Sequence, residues 1–100
     1  MTVIEDSGFV KRREGLLDDD CFFEPATYLI NAPGAGQLIP RTGGLRKIRW
    51  TTKGRGKRGG LRIIYYWQVS DEVILFLDVY AKSDKEDLTQ EELRKLAKKI

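Results

Sequence analysis

LRIIYYWQVSDEVILFLDVY, residues 61 to 80, decides the fold of this chain. The segment is rich in β-branched and aromatic residues, which favour strands, and Ser70 and Asp71 predict a turn between a strand at 61–69 and another at 72–80. Apolar residues recur at every second position of the later strand, which predicts one unbroken face in the core: Val73, Leu75, Leu77 and Val79.

A further strand is predicted upstream, since LRKIRWTT at 45–52 alternates and contains good β-formers. Residues 2–5 are predicted to form a short strand, residues 37–44 a loop, and two helices come between them. The first helix begins at Asp6 or Ser7. The second begins at the acidic residues 18–20 and ends near Asn31, with Pro25 expected in its first turn or at a bend.

The C-terminal helix has the clearest start signal. Thr89 and Glu92 have the spacing of a capping box, and Leu88 and Leu93 that of a hydrophobic staple. Together these elements predict a single α+β domain over residues 1–100. Its N-terminal helices and C-terminal helix are expected to pack on one side of a small, mainly antiparallel sheet.

Composition limits the chemistry that this domain can perform. The chain has 100 residues, of which 41% are hydrophobic and 33% charged, as in an ordinary globular domain, and no secretory signal or membrane span is visible. Histidine is absent, which excludes His-based triads and two-histidine nuclease mechanisms. The single cysteine, Cys21, fits a reducing compartment and is expected to be a small buried hydrophobe. The sequence predicts no metal site and no cofactor.

Charge is distributed very unevenly along the chain. Residues 41–62 hold nine Lys or Arg residues and no Asp or Glu, whereas the other 78 residues hold nine basic and fifteen acidic residues, a balance of −6. A basic band on an acidic body is typical of proteins that bind polyanions. Nucleic acid is therefore the leading candidate partner.

The centre of this band is KGRGKRGG, residues 53–60, which joins two predicted strands as the tip of a basic hairpin. Glycines between the cations let the backbone follow a phosphate chain. Lys47 and Arg49 share one face of their strand because side chains at i and i+2 point the same way, and Arg62 lies across the loop on the next strand. The sequence therefore predicts a converging patch of cations.

Four aromatic residues are close in sequence to this patch: Tyr65, Tyr66, Trp67 and Trp50. Either base stacking or core packing could explain them. Tyr65, Tyr66 and Trp67 alternate between the two faces of their strand, so at least one of them is expected in the core. Trp50 is also expected to pack in the core.

The segments GGLRKIRW (43–50), KGRGKRGG (53–60), RIIYYW (62–67) and VYAK (79–82) together resemble the RelE/HigB superfamily of bacterial type II toxins, and are most similar to its HigB-like branch. The resemblance covers about residues 40–82. It implies a RelE-like fold and a ribosome-dependent mRNA endoribonuclease that cleaves mRNA in the ribosomal A site and inhibits translation. It also implies a cytoplasmic toxin that acts without a metal ion on the 70S ribosome and mRNA, and that a cognate, HigA-like antitoxin holds inactive.

The resemblance also assigns site residues. It implies catalytic roles for Lys47, Arg49, Arg62 and Lys82. Five further cations of the band are expected to bind RNA: Arg46, Lys53, Arg55, Lys57 and Arg58.

The chain departs from the family pattern at two positions. Ser83 stands where some relatives have a catalytic arginine and Leu88 about where some have a tyrosine, so Lys82, Lys85, Tyr80 or the ribosome itself would have to supply the general acid. Two other functions remain open at this stage. One is a ParE-like protein that inhibits DNA gyrase without enzymatic activity, and the other is a non-catalytic RNA-binding protein. Phe22, Phe23 and Pro25 are candidates for core packing or for a surface that the antitoxin covers.

Overall fold

A five-stranded sheet organises the residues that the computed structural model describes, 1–51 and 60–100. The elements in chain order are β1 (Thr2–Glu5), α1 (Ser7–Arg12), α2 (Asp19–Asn31), β2 (Gln37–Leu38), β3 (Leu45–Trp50), β4 (Leu61–Gln68), β5 (Val73–Ala81) and α3 (Gln90–Ala97). The strand order is β1-β5-β4-β3-β2, with β1 parallel to β5 and every other pair antiparallel. The α+β class predicted from the sequence is confirmed.

The helices cover both faces of the sheet, so the prediction that they all lie on one side is wrong. Phe9 of α1 and Leu29 of α2 pack in one apolar cluster with Ile63, on what we call the α1/α2 face. Leu96 of α3 packs in a second cluster with Ile64, on the α3 face. β4 and β5 have apolar side chains on both faces of the sheet, and the side chains on each face are removed from water only if helices cover that face.

A bulge in the central pair explains why the predicted apolar face of β5 is not continuous. Ile64 pairs with Asp78 but the next residue, Tyr65, pairs with Phe76, which leaves Leu77 as an extra residue in β5. The alternation shifts there. Leu77 and Leu75 pack on the α3 face, and Val79 packs on the α1/α2 face.

The aromatic residues of β3 and β4 serve the core, as expected. Tyr65 is fully buried, Trp67 and Trp50 pack partly buried on the same α1/α2 face, and Tyr66 packs on the α3 face. On α2, Phe22 and Pro25 are buried, whereas Phe23 is 70% exposed. Cys21 is half-buried against the α1/α2 cluster.

Each helix begins at a capping residue that the sequence made recognisable. Asp6 accepts a hydrogen bond from the Gly8 N–H at the start of α1, and Asp18 accepts one from the Cys21 N–H at the start of α2. Both bonds of the capping box in α3 are formed, between Thr89 and Glu92. Pro25 lies within α2 and not in its first turn.

The outer edge of β5 is covered by β1 only as far as Phe76. Beyond that point Arg12 of α1 takes over, since its guanidinium donates to the Leu77 carbonyl over 2.9 Å and forms an ion pair with the buried Asp78. The carboxylate inside the sheet is therefore neutralised from within the chain.

The segment predicted as a loop at 37–44 contains a two-residue strand, β2, which pairs with β3 at Lys47 and Arg46. The turn before it is anchored by Tyr65, whose hydroxyl accepts from the Gly36 N–H over 2.9 Å and donates to the Pro33 carbonyl over 2.7 Å. A Cβ on Gly36 would lie 2.8 Å from the Tyr65 ring, so only glycine permits this approach.

No helix among residues 1–51 and 60–100 is both long enough and apolar enough to cross a membrane.

We expect Tyr65→Phe to lower the free energy of unfolding by about 1–3 kcal/mol, because the buried Gly36 N–H would lose its acceptor. Urea denaturation followed by circular dichroism would measure the change. Tyr66→Phe is the matched control, since its hydroxyl has no hydrogen bond to the residues that the structure describes, and it should change stability little. Equal effects of the two substitutions would contradict the anchoring role of Tyr65.

Candidate functional site

The antiparallel register of β3 and β4 gathers three of the predicted catalytic cations on the α3 face. Lys47 pairs with Ile64 and Arg49 pairs directly with Arg62, so all three side chains lie on the face to which Ile64 contributes. We call Lys47, Arg49 and Arg62 the cationic patch. Arg49 and Arg62 are two residues in sequence from Thr51 and Gly60, respectively, so the patch is close in sequence to KGRGKRGG (53–60), which we call the basic segment.

Arg62 is the least exposed member of the patch, at 8%. Its guanidinium donates only a 3.3 Å hydrogen bond to the Leu61 carbonyl, and no carboxylate of the described residues forms an ion pair with it. Its neighbour across the sheet is another cation, Arg49, and like charges directly opposite each other destabilise a sheet. Within the described part of the chain this nearly buried guanidinium therefore has no carboxylate at ion-pair distance, an arrangement suited to an anion from outside.

Lys47 has a counter-charge from the other end of the chain. Its Nζ lies 2.6 Å from Oδ1 of Asp87, in the segment that leads into α3. The hydrogen bond and charge of Lys47 lower the pKa of Asp87, and the charge of Arg62 lowers it further. The Asp87 side chain is 63% exposed, so this carboxylate occupies the entrance to the patch without being locked in place.

Tyr80 lies directly opposite Arg62 on β5 and is 6% exposed. Its hydroxyl is buried and has no hydrogen-bond partner among the described residues. Burial, followed by the negative charge of Asp87, raises the pKa of Tyr80 to about 12. The phenol is therefore protonated throughout the physiological range and can act as a hydrogen-bond donor beside the patch.

A cavity of about 220 Å³ connects these groups. Lys47, Tyr80 and Asp87 line it together with apolar side chains from β4 and α3. Lys85 approaches from the other side of Tyr80, with its Nζ 5.7 Å from the ring centroid and 3.0 Å from Glu92. A cation patch, a protonated phenol and a small cavity thus occur at one end of the sheet.

The structure does not bring Arg46 to this patch. Arg46 pairs with Tyr65, and its Nη1 donates to the carbonyls of Gly34 and Gly36 over 3.1 and 2.7 Å. Lys82 is exposed just after β5, and its backbone N–H donates to the Gly60 carbonyl, which places it at the end of the sheet where the basic segment attaches.

The remaining predicted RNA-binding residues lie in the segment 52–59, outside the described residues: Lys53, Arg55, Lys57 and Arg58.

Asp87 is not among the site residues predicted from the sequence, although it contacts the patch through Lys47. The available signal was indirect, because the capping box at Thr89 fixes the start of α3 and leaves Asp87 just before it. Nothing local relates this position to Lys47, from which it is separated by 40 residues.

Residues 1–51 and 60–100 contain no group of three or more His, Cys, Asp or Glu residues placed to hold a metal ion.

The fold and the patch define a class of small α+β proteins that expose cations at one end of a mainly antiparallel sheet. The whole fold is similar to a solved structure of the E. coli toxin RelE, a double mutant in the free state, with a TM-score of 0.65 and 15% sequence identity. The match covers 98% of this chain and 94% of that one. At this identity the likeness concerns the fold.

The family follows from the sequence match. Residues 34–100 match the family model of the RelE toxin of the RelE/RelB toxin–antitoxin system. The match covers about two thirds of the chain, including β3, β4, β5 and α3. The chain belongs to the RelE toxin family, which confirms the superfamily resemblance and implies a cognate antitoxin as its partner.

We expect Asp87→Asn to tighten the binding of a short RNA to the protein by about two- to fivefold at low salt, because it frees Lys47 from an exposed ion pair. Asp20→Asn, at the start of α2, removes the same charge far from the patch and should have a smaller effect. Fluorescence anisotropy with a labelled, uncleavable oligonucleotide would measure both.

The pH dependence follows from the lowered pKa of Asp87. The ion pair is present above the usual pKa range of aspartate and is lost only as the pH falls through the lowered value. The difference between Asp87→Asn and the unsubstituted protein should therefore be constant from about pH 5 to pH 8. A difference that disappears near pH 5, or an equal effect of Asp20→Asn, would contradict the assignment.

We expect Tyr80→Phe to raise the free energy of unfolding by about 1 kcal/mol, because it removes a buried hydroxyl that has no partner. The opposite sign is expected for Tyr65→Phe, which makes the same chemical change where the hydroxyl is hydrogen-bonded. Urea denaturation of both variants side by side would compare them. A stability loss in Tyr80→Phe would mean that its hydroxyl is satisfied in solution.

Proposed function

We propose that this RelE-family toxin is a ribosome-dependent mRNA endoribonuclease that cleaves mRNA in the A site and thereby inhibits translation. The observation that carries the proposal is Arg62, a nearly buried guanidinium without a carboxylate partner among the described residues, opposite Arg49 and on the same face as Lys47. Family membership supports the same reaction. We infer that a phosphate group of the RNA pairs with Arg62, for which the described residues supply no ion-pairing carboxylate.

The proposed chemistry is a transfer at phosphorus within the RNA. The 2′-hydroxyl of one nucleotide passes its proton to a general base, supplied by the toxin or by the ribosome, its oxygen bonds to the adjacent phosphorus, and the bond from phosphorus to the 5′-oxygen breaks. Negative charge grows on the phosphoryl oxygens in between. Arg62, Arg49 and Lys47 lie where they would stabilise that charge, which is the largest contribution that a preorganised site makes to such a reaction. The products are a 2′,3′-cyclic phosphate and a 5′-hydroxyl.

A proton must reach the departing 5′-oxygen. Tyr80 is suited to donate it or to hold it by a hydrogen bond, because its phenol is protonated, buried and opposite Arg62. Lys85 is engaged with Glu92 and lies over the Tyr80 ring, which places a further cation close to the phenol. Lys82, exposed at the end of β5, is the remaining candidate for the catalytic role expected of it.

The basic segment would supply affinity. We infer that Lys53, Arg55, Lys57 and Arg58 bind RNA backbone, ribosomal or messenger, through neutralisation of phosphates. Arg46 would join them only by giving up its two carbonyl contacts. Binding of this kind releases counterions and weakens steeply as salt rises.

The partners follow from the reaction. The 70S ribosome and its mRNA are the proposed substrate complex, the cytoplasm is the proposed location, and the cognate antitoxin is proposed to be HigA-like. The proposed reaction uses no metal ion or cofactor.

We expect Arg49→Ala and Arg62→Ala each to lower the cleavage rate by about 10²- to 10³-fold, because each removes a donor aimed at the developing charge. Arg94→Ala, on the exposed side of α3, is the charge-matched control and should leave the rate unchanged. A defined mRNA would be incubated with the protein in a translation reaction and, separately, without ribosomes. Primer extension would then map the cuts in both samples. Circular dichroism would confirm that the variants are folded, which matters most for the buried Arg62.

Cuts that appear only with ribosomes, within the A-site codon, and that are lost in Arg49→Ala support the proposal. Intact mRNA with undiminished translation overturns it. Gyrase inhibition by the unchanged protein, with no sensitivity to Arg49→Ala, would identify a ParE-like inhibitor instead. Tight RNA binding without cleavage would identify a non-catalytic RNA-binding protein.

A further inference from the structure

A groove runs along the outer edge of β3 where β2 ends. It has a volume of about 440 Å³, and the residues that matter for its chemistry are Tyr28, Gln37, Lys47, Arg49 and Trp50. We call it the edge groove. Two members of the cationic patch, Lys47 and Arg49, line it, so the groove and the patch share a border.

The edge groove exists because β2 is too short to cover β3. β2 pairs with β3 only at Lys47 and Arg46, so no described strand pairs with the outer edge of β3 at residues 48–50. The Ile39 N–H donates to the Leu45 carbonyl on that outer side. Since backbone groups alternate along a strand, the N–H and C=O of Arg49 also point outward, into the groove.

An aromatic pair forms the wall opposite this edge. The Tyr28 ring of α2 and the Trp50 ring of β3 have centroids 5.6 Å apart and an interplanar angle of 52°. Tyr28 is 46% exposed, which leaves ring surface open to solvent. The indole N–H of Trp50 is buried and has no partner among the described residues. The groove thus offers a stacking surface beside an open strand edge, with Lys47 and Arg49 at its border.

We propose that the edge groove binds one unpaired nucleobase of the RNA, stacked on Tyr28, and that the adjoining phosphate passes over the open edge of β3 to Lys47 and Arg49, whose side chains lie on the α3 face. Recognition of single-stranded RNA combines these two features, an aromatic platform for the base and cations for the backbone. The amide of Gln37, exposed in the groove, can hydrogen-bond the edge of the base and so influence which nucleotide is accepted. The inference rests on the proposed function and adds a base subsite to it.

An open strand edge can also accept an extended peptide, which would add a strand to the sheet. The lining favours RNA. Two of the groove's residues are cations that belong to the patch, and no Asp or Glu lines it. A peptide strand makes no use of an exposed ring face beside two cations, whereas a nucleotide uses both.

The test uses the two tryptophans as internal reporters. Trp50 lies in the groove, whereas Trp67 is not among its lining residues, and each indole N–H gives its own signal in a ¹H–¹⁵N spectrum. The probe is a six-nucleotide RNA with every 2′-hydroxyl methylated, so that it cannot be cleaved. We expect titration at low salt to shift the Trp50 indole signal and to leave that of Trp67 in place.

Substitutions separate stacking from phosphate binding. Tyr28→Ala should weaken binding of the hexanucleotide by about 5- to 150-fold, the range that loss of one stacked base gives. Tyr28→Phe retains the ring and should bind as the unsubstituted protein does. Phe23→Ala, a loss of an exposed ring elsewhere on α2, is the matched control and should also bind normally.

An unmoved Trp50 signal at saturation, or equal affinity for Tyr28→Ala and the unsubstituted protein, overturns the inference. So does a Trp50 signal that moves only in the complex with the antitoxin, which would assign the groove to a peptide. The proposed function is tested separately by mRNA cleavage on ribosomes. Binding in the groove without cleavage contradicts the proposed function and leaves the subsite supported. Cleavage by Tyr28→Ala at the rate of the unsubstituted protein supports the function and contradicts the subsite.

Discussion

The pairing of β4 with β5 is the constraint on which the rest of the structure depends. Both strands have apolar side chains on both faces of the sheet, so each face has to be covered by helices. α1 and α2 cover one face, and α3 covers the other. Charged side chains are then excluded from the middle of the sheet. They can gather only at an edge or at one end, and the cationic patch lies at the end where the chain enters the basic segment.

Two charged residues in the described part of the chain are nevertheless almost fully buried, and their surroundings differ. Asp78 and Arg62 are both 8% exposed. Asp78 receives the guanidinium of Arg12, so its charge is neutralised from within and serves to close the edge of β5. Arg62 receives another arginine as its neighbour across the sheet. Without a bound anion, a nearly buried guanidinium opposite another arginine lowers the stability of the folded protein. A bound anion would remove this cost and so stabilise the fold.

Local signals made most of the elements predictable, and long-range packing set the rest. The capping box at Thr89 and the β-rich run at 61–80 are read from neighbours in sequence, and the i, i+2 rule already placed Lys47 and Arg49 together. The bulge that moves Val79 to the other face depends on how β4 pairs with β5 and has no sequence marker. The sequence of a strand with two apolar faces does not predict which helix covers which face. The burial of Arg62 and the contact of Asp87 with Lys47 likewise arise only when distant segments meet.

The parallel pairing of β1 with β5 has a consequence for the timing of synthesis. Thr2 pairs with Val73, so β1 leaves the ribosome about 70 residues before the strand with which it pairs. The α3 face remains uncovered for longer still, because Leu88 and Leu96 arrive after β5. The basic band is therefore synthesised well before the folded sheet brings the residues of the cationic patch together. The nascent chain thus passes through an interval in which the basic band is exposed and the cationic patch has not yet formed.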